Sequence, residues 1–311
     1  MQAEILTLTA DMSRDEWLKA RKNGIGGSDA AAIAGLNKWK SPVAVYLDKT
    51  GQAPDQDQSN EATYWGTVME DIVAREFAKR SGLKVRRRNA ILKHPEYPFM
   101  LANVDRLIVG KKEGLECKTA SEYLKDEWKD DEIPAQYLIQ CQHYMAVTGY
   151  HAWWIAVLIG GNKFVYKKIE RDDELIQYLI DIEKNFWENH VLANVPPMFD
   201  GSDASSELLK AMYPESVPGT EIELPPDANS LIEALDQVNK ELKQLEAQKK
   251  EYENQLKAMM GENEKAFAGE RIITWKTFHS NRFDSKRFAK DHPELYNQYV
   301  KTSTYRRFAV K

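Results

Sequence analysis

The amino-acid sequence predicts an α/β (α+β) fold: a central mixed sheet flanked by helices, followed by a long-helix and strand extension. Three observations carry this expectation. Trp153 to Ile159 is a nearly continuous apolar run, as in a strand buried mid-sheet, and Gly160-Gly161-Asn162 turns it into a second strand, Phe164 to Ile169. Glu61 to Arg80 and Asp172 to His190 read as amphipathic helices. Past residue 228, Leu231, Leu235, Val238, Leu242, Leu245, Tyr252, Leu256 and Met259 keep 4-3 spacing, with Lys249 as the one break.

The 311 residues, 42% hydrophobic and 29% charged, suffice for one sizeable core and a smaller unit. The expected division is 1–192 as the first domain, 193–227 as a linker rich in Pro, Ser, Asp and Gly, and 228–311 as a helical, coiled-coil-like and basic α/β region. No run approaches the ~18 apolar residues of a membrane span, and the N-terminus lacks a signal-peptide pattern. Two cysteines, Cys117 and Cys141, point to a reducing cytosol, with Cys117 expected to pack rather than react. A net charge of −5 gives no global support to nucleic-acid binding, so any such contact must come from local patches. From Lys265 onward eleven Lys/Arg face four Asp/Glu, with aromatics interleaved, which suits a nucleic-acid contact or a small basic cap equally.

Taken in order, Ser13 caps a short helix carrying Trp17, Leu18 and Arg21. Gly24-Ile25-Gly26-Gly27-Ser28-Asp29 precedes a small-residue helix from Ala30 to Ala34, either an anion site at a helix N-terminus or an ordinary turn and cap. Residues 41–51 form another helix with a glycine stop, and 52–60 a polar loop. On the helix from Glu61, residues Trp65, Val68, Met69, Ile72, Val73 and Phe77 make one broad face. Glu70 lies at its edge, where a carboxylate needs a metal or an arginine to meet it. Arg86, Arg87 and Arg88 precede a strand from Ala90 to Leu92, as a phosphate-facing edge or a charged guard on an edge strand. His94 has no second His or Cys at ligand spacing, which argues against zinc. Pro134 starts a helix that Gly149 stops, with Gln136, Gln140 and Tyr144 beside its buried stripe. The extension continues with a strand from Arg271 to Phe278, a basic helix from Ser285 to Tyr299 and a last strand from Tyr305 to Val310. The 4-3 stripe before it fits an intermolecular coiled coil or an antiparallel hairpin within the chain.

The chemistry concentrates in Asn103 to Lys118, two short strands joined by the turn Gly110 to Gly114. Alternation puts Glu116 and Lys118 on one face and Leu115 and Cys117 on the other. Asp105, with ten residues between it and Glu116, can return beside it across the hairpin. Two carboxylates suit a hard cation such as Mg²⁺, and the neighbouring ammonium suits a charged phosphate. Glu-x-Lys recurs at Glu127 and Glu241, so the tripeptide alone also fits a solvated ion pair.

This setting resembles the restriction-endonuclease-like PD-(D/E)xK nuclease core, with Val104 where that pattern carries its proline. The order Arg21, glycine-rich turn with Ser28, helix Glu70, Asp105, Glu116-x-Lys118 and a Gln-rich helix is similar to the YqaJ-like viral recombinases, which group with lambda-type exonucleases. Gly24 to Ala32, Trp65 to Glu70 and Gln140 to Gly149 carry the likeness most closely. The resemblance implies Asp105, Glu116, Glu70 and the Cys117 carbonyl as ligands of Mg²⁺, with Mn²⁺ as a substitute. Lys118 would be the catalytic lysine and Gln140 its positioning partner. Arg21 and Ser28 would hold a terminal 5′-phosphate, and Gln142, Arg86, Arg87 and Arg88 would contact DNA. It further implies 5′→3′ digestion of double-stranded DNA ends in a bacterial host's cytoplasm, in phage or prophage recombination. A single-strand annealing protein would be the partner, and a homo-oligomer such as a trimeric ring the assembly. A structure- or site-selective endonuclease of the same fold and a non-catalytic DNA-end-binding adaptor are the alternatives. The intact Asp105, Glu116 and Lys118 set speaks against the adaptor.

Overall fold

The computed structural model describes residues 3–54 and 61–310, so most of the polar loop expected at 52–60 lies outside the described residues. Its centre is a five-stranded sheet, ordered β2 (Val85–Arg87), β5 (Arg106–Ile108), β6 (Glu113–Ala120), β7 (Ala152–Ile159) and β8 (Lys163–Glu170). Only β6 and β7 run parallel; the other neighbours are antiparallel. The crossover between them is a 3₁₀ helix, Glu122–Trp128, followed by α5, Ala135–Thr148, which ends on Gly149 in the left-handed conformation.

Period-two alternation on β7 divides the core. Trp153, Ile155, Val157 and Ile159 enter the larger cluster with Cys141 and Met145 of α5, while Ala156 joins Val73, Ala74 and Phe77 of α4 (Glu61–Ser81) on the opposite face. On β6, Leu115 and Cys117 join the α4 side. Gly114 lets these layers close: a Cβ there would lie 2.2 Å from the Trp153 ring. The amphipathic helix expected from Asp172 is α6, Asp173–Phe186, continued by a π-helical turn to Leu192.

A second sheet is ordered β1 (Glu4–Leu8), β3 (Ala90–Lys93) and β4 (Leu101–Ala102). Its first strand was not anticipated from the sequence. The N-terminal helices are α1 (Arg14–Arg21), α2 (Gly27–Ile33) and α3 (Pro42–Thr50). The Ser13 cap of α1 is a full capping box with Glu16. On α4 only Val73 and Phe77 of the predicted apolar face are buried: Trp65, Val68 and Ile72 stay exposed.

The chain forms two compact units, one ending at Tyr213 and the other beginning at Pro214. The segment 193–227 expected as a linker thus contains a helix of the first unit, α7 (Asp203–Met212), whose Leu208 and Met212 pack on the main core. Its Ser202 caps it, and the buried Ser205 hydroxyl donates to Asp200 at 2.7 Å. The second unit holds α8 (Asp227–Met260), the hairpin β9 (Lys265–Ala268) and β10 (Arg271–Thr274), and α9 (Ser285–Asp291) and α10 (Pro293–Tyr299). Pro293 divides the single basic helix expected from Ser285 to Tyr299, because it lacks the N–H that a continuous helix needs. Residues 305–310 form no strand with any described residue.

Candidate active site

The β6 alternation places Glu116 and Lys118 towards α5. Glu116 is buried, and its Oε1 accepts from Lys118 Nζ at 2.6 Å and from Gln140 Nε2 at 2.7 Å. The same Gln140 amide donates to the Tyr144 hydroxyl at 2.9 Å, which donates to the Asn103 carbonyl at 3.2 Å. Asn103 Oδ1 in turn accepts from the Trp17 indole at 3.1 Å. One line of hydrogen bonds therefore runs from the lysine through the carboxylate and α5 to α1. Neither Asn103 nor the Trp17 indole carried a sequence signal for this role.

Asp105 sits just before β5 and accepts from the Cys117 amide at 2.8 Å, so the hairpin does return it beside Glu116. Its carboxyl is pushed well above the ordinary range by burial, then by the charges of Glu116 and Glu70. Burial alone would depress Lys118, but Glu116 and Asp105 outweigh it and hold the ammonium above its usual value. Lys118 also lies 5.2 Å over the Tyr137 ring, which stacks on Trp128.

Glu70 reaches the same cleft, but its carboxylate pairs with the buried Arg106, which also donates to Asp71 at 3.1 Å. Of the two counter-charges foreseen for Glu70, the arginine is the one in contact. With Glu70 turned to Arg106, no three His, Cys, Asp or Glu side chains are gathered as a metal cluster among the described residues. The donor set nevertheless fits a hard divalent cation. Glu116 Oε2 is buried and finds no hydrogen-bond partner among the described residues, beside an Asp105 carboxyl already burdened by like charge.

The same cavity, of about 700 Å³, is also lined by Arg21 and Ser28. The Arg21 guanidinium lies 4.5 Å over the Trp17 ring and donates to Ser28 Oγ at 3.5 Å. Gly27 allows this approach of α2 to α5, since a Cβ there would come within 2.7 Å of the Tyr144 ring. Behind Ser28, buried Asp29 caps the Gly26 amide and pairs with Lys49 at 2.7 Å and Lys40 at 2.9 Å. Its own burial would raise its pKa, but Lys40, Lys49 and Arg21 outweigh that and hold it far below the usual carboxylate range.

Gln142 is a correction. It is buried away from the cleft, donating to the Glu170 carbonyl at 2.9 Å and accepting from the Asp172 amide at 3.1 Å. Both ends of its amide pin the β8–α6 junction, away from the residues that line the cleft. Arg86, Arg87 and Arg88 do not line the cleft; Arg86 and Arg87 stand on edge strand β2, and Arg87 pairs with Asp71 at 3.1 Å. The side chain of Cys117 is buried on the α4 face, and its backbone lies between Glu116 and Lys118 as expected.

Residues 16–151 match the YqaJ-like viral recombinase domain. Across its whole length the chain is 49% identical over 312 residues to the YqaJ protein of Bacillus subtilis (strain 168), covering 98% of that protein. Among solved structures, the alkaline exonuclease LHK-Exo from Laribacter hongkongensis, in complex with dAMP, is similar in fold. It shows a TM-score of 0.50 and 23% identity over 64% of this chain and 97% of that one. A phage related exonuclease from Haemophilus somnus 129PT aligns with a TM-score of 0.44 and 16% identity, over 55% of this chain and 96% of that chain.

Proposed function

The chain belongs to the YqaJ-like viral recombinase family, and from that premise we propose that it is a Mg²⁺-dependent 5′→3′ exonuclease acting on linear double-stranded DNA. The observation that carries this reading is the unpartnered, buried Glu116 Oε2 beside Asp105 and Lys118, in a cleft also lined by Arg21 and Ser28. Asp105, Glu116, Glu70 and the Cys117 carbonyl would hold the cation, Mn²⁺ being a substitute. When bound, it supplies Lewis acidity towards the scissile phosphate and makes water a stronger nucleophile.

The chain's own groups do the remainder. Lys118, an ammonium in this environment, offsets the charge that builds on the phosphate and orients the incoming water. Gln140 fixes the Glu116 carboxylate by its hydrogen bond, leaving the second oxygen free for a ligand. Arg21 and the Ser28 hydroxyl, 3.5 Å apart, would take a terminal phosphate, a dianion that internal positions of DNA lack, so that cleavage would start at an end. The product is a 3′ single-stranded tail for a single-strand annealing protein in the host cytoplasm. A homo-oligomeric ring, a trimer as in the lambda-type enzymes, would keep the enzyme on its duplex.

The test compares linear duplex bearing a 5′-phosphate with a covalently closed circle, with and without Mg²⁺, for wild type and Lys118→Ala. Mg²⁺-dependent release of nucleotides from the 5′ strand, sparing the circle and lost in the variant, is expected. Nicking of the circle would establish an endonuclease instead. Absence of cleavage with any divalent metal would leave a DNA-end adaptor.

A further inference from the structure

Helix α8 spans 34 residues, and its 4-3 stripe faces solvent. Leu231 is 73% exposed, Leu245 62% and Met259 82%, with Val238, Leu242, Tyr252 and Leu256 exposed as well. Within this unit no second helix of comparable length is available to cover them: α9 and α10 have seven residues each. A helix draws most of its stability from packing an amphipathic face, and a contiguous apolar stripe of this length marks an interaction surface. Helix α8 runs uninterrupted from Asp227 to Met260, so the stripe contains no turn at which it could fold back on itself as a hairpin.

We propose that α8 pairs with α8 of a second copy as an antiparallel two-stranded coiled coil. In heptad terms Leu235, Leu242, Lys249 and Leu256 occupy the a positions and Leu231, Val238, Leu245, Tyr252 and Met259 the d positions. The flanking charges select the direction. A parallel pair sets Glu241 at g against Glu246 at e of the other helix, a like-charge contact made twice in each dimer.

In the antiparallel register Leu231 lies beside Leu256 of the second copy, Leu235 beside Tyr252, and Leu242 beside Leu245. Glu241 then meets Gln248 and Glu246 meets Asn239, so no like charges face each other. Lys249, which lies 3.9 Å from Glu253 of its own helix, falls beside Val238 and one turn from Glu241 of the second copy, which adds a cross-helix partner and sets the register. The stripe is self-complementary about a two-fold axis, as an isologous dimer requires. At 60–120 Å² for each covered side chain, eight from either helix would bury roughly 1,000–1,900 Å², the size of a stable interface.

Single-cysteine variants of the full chain test this directly, because Cys117 and Cys141 are both buried. Leu231 and Leu256 are separated by about 38 Å along one helix. Mixing Leu231→Cys with Leu256→Cys under mild oxidation should give a disulfide-linked heterodimer, with neither variant linking to itself. Leu242→Glu should halve the solution mass measured by light scattering, whether the α8 pair joins two single chains or two of the proposed rings, while the circular dichroism of the folded first unit persists. Self-linking of either single variant would overturn the antiparallel assignment. An unchanged mass in Leu242→Glu, or a wild type whose smallest species at micromolar concentration is one chain, would overturn the dimer itself. None of these readouts depends on nuclease activity.

Discussion

Replacing Asp29 by Asn removes the carboxylate on which two lysines converge while keeping the shape and the cap on Gly26. The Lys49 side chain is only 1% exposed and sits 2.7 Å from Asp29; its other contacts are the Arg21 carbonyl at 3.1 Å and Asp48 at 3.8 Å. Lys40 is a third exposed and can turn to water. Breaking a buried ion pair by neutralising one partner costs about 3–5 kcal/mol, because the other charge stays buried. Asp48 remains near Lys49 and places the loss at the lower end, about 3 kcal/mol. For a unit of this size that lowers the melting temperature by roughly 6–12 °C.

The pH dependence supplies a second readout of the same pair. The folded-state pKa of Asp29 is depressed, so its stabilisation is complete above the unfolded value of about 3.9 and is lost as pH falls below it. Wild type and variant should therefore converge in acid, by about 1.4 kcal/mol per pH unit. Adding Lys49→Met to Asp29→Asn should recover most of the stability, since the stranded ammonium is the cause of the loss. Calorimetry and urea titration at pH 7 and pH 3 measure all three quantities. A loss under about 1 kcal/mol at pH 7, or a double variant no better than the single one, would refute the reasoning.

Gln142→Ala should cost about 1–3 kcal/mol in urea unfolding by stranding the Glu170 carbonyl and the Asp172 amide, with end-binding affinity for duplex DNA unchanged. Arg21→Ala should slow digestion of 5′-phosphorylated ends about tenfold or more, with little effect on 5′-hydroxyl ends, as charge-assisted contacts of about 1.5–3 kcal/mol predict. Mg²⁺ at a hundred times its dissociation constant should stabilise the wild type by about 2.7 kcal/mol, a shift that EDTA reverses and Asp105→Asn abolishes in a thermal melt.

Strand β6 was legible because a period of two is local information: Glu116 and Lys118 share a face whatever surrounds them. The helices α4 and α5 were legible for the same reason, each carrying its own stripe and its own stop. What escaped depends on distant chain. Gln142 and Gln140 look alike on a helical net, and only the docking of the β8–α6 junction against one and β6 against the other separates them. Arg106 follows Asp105 in sequence, yet its importance comes from α4 delivering Glu70 and Asp71 to it across the sheet. Strand β1 is an exposed edge whose pairing with β3 lies over eighty residues away. Helix α7 was hidden in a stretch rich in the same Ser, Asp and Pro residues that cap helices and punctuate turns.

The parallel pairing of β6 with β7 also bears on when the chain becomes dangerous to DNA. Glu116 and Lys118 are synthesised well before α5, yet α5 is the crossover that must dock before the pair is held, and β7 must then slot beside β6. Such non-local parallel contacts form late in folding. A nascent chain carrying every acidic residue of the cleft therefore still lacks the Gln140 clamp and the strand beside Glu116 until Ile159 has left the ribosome.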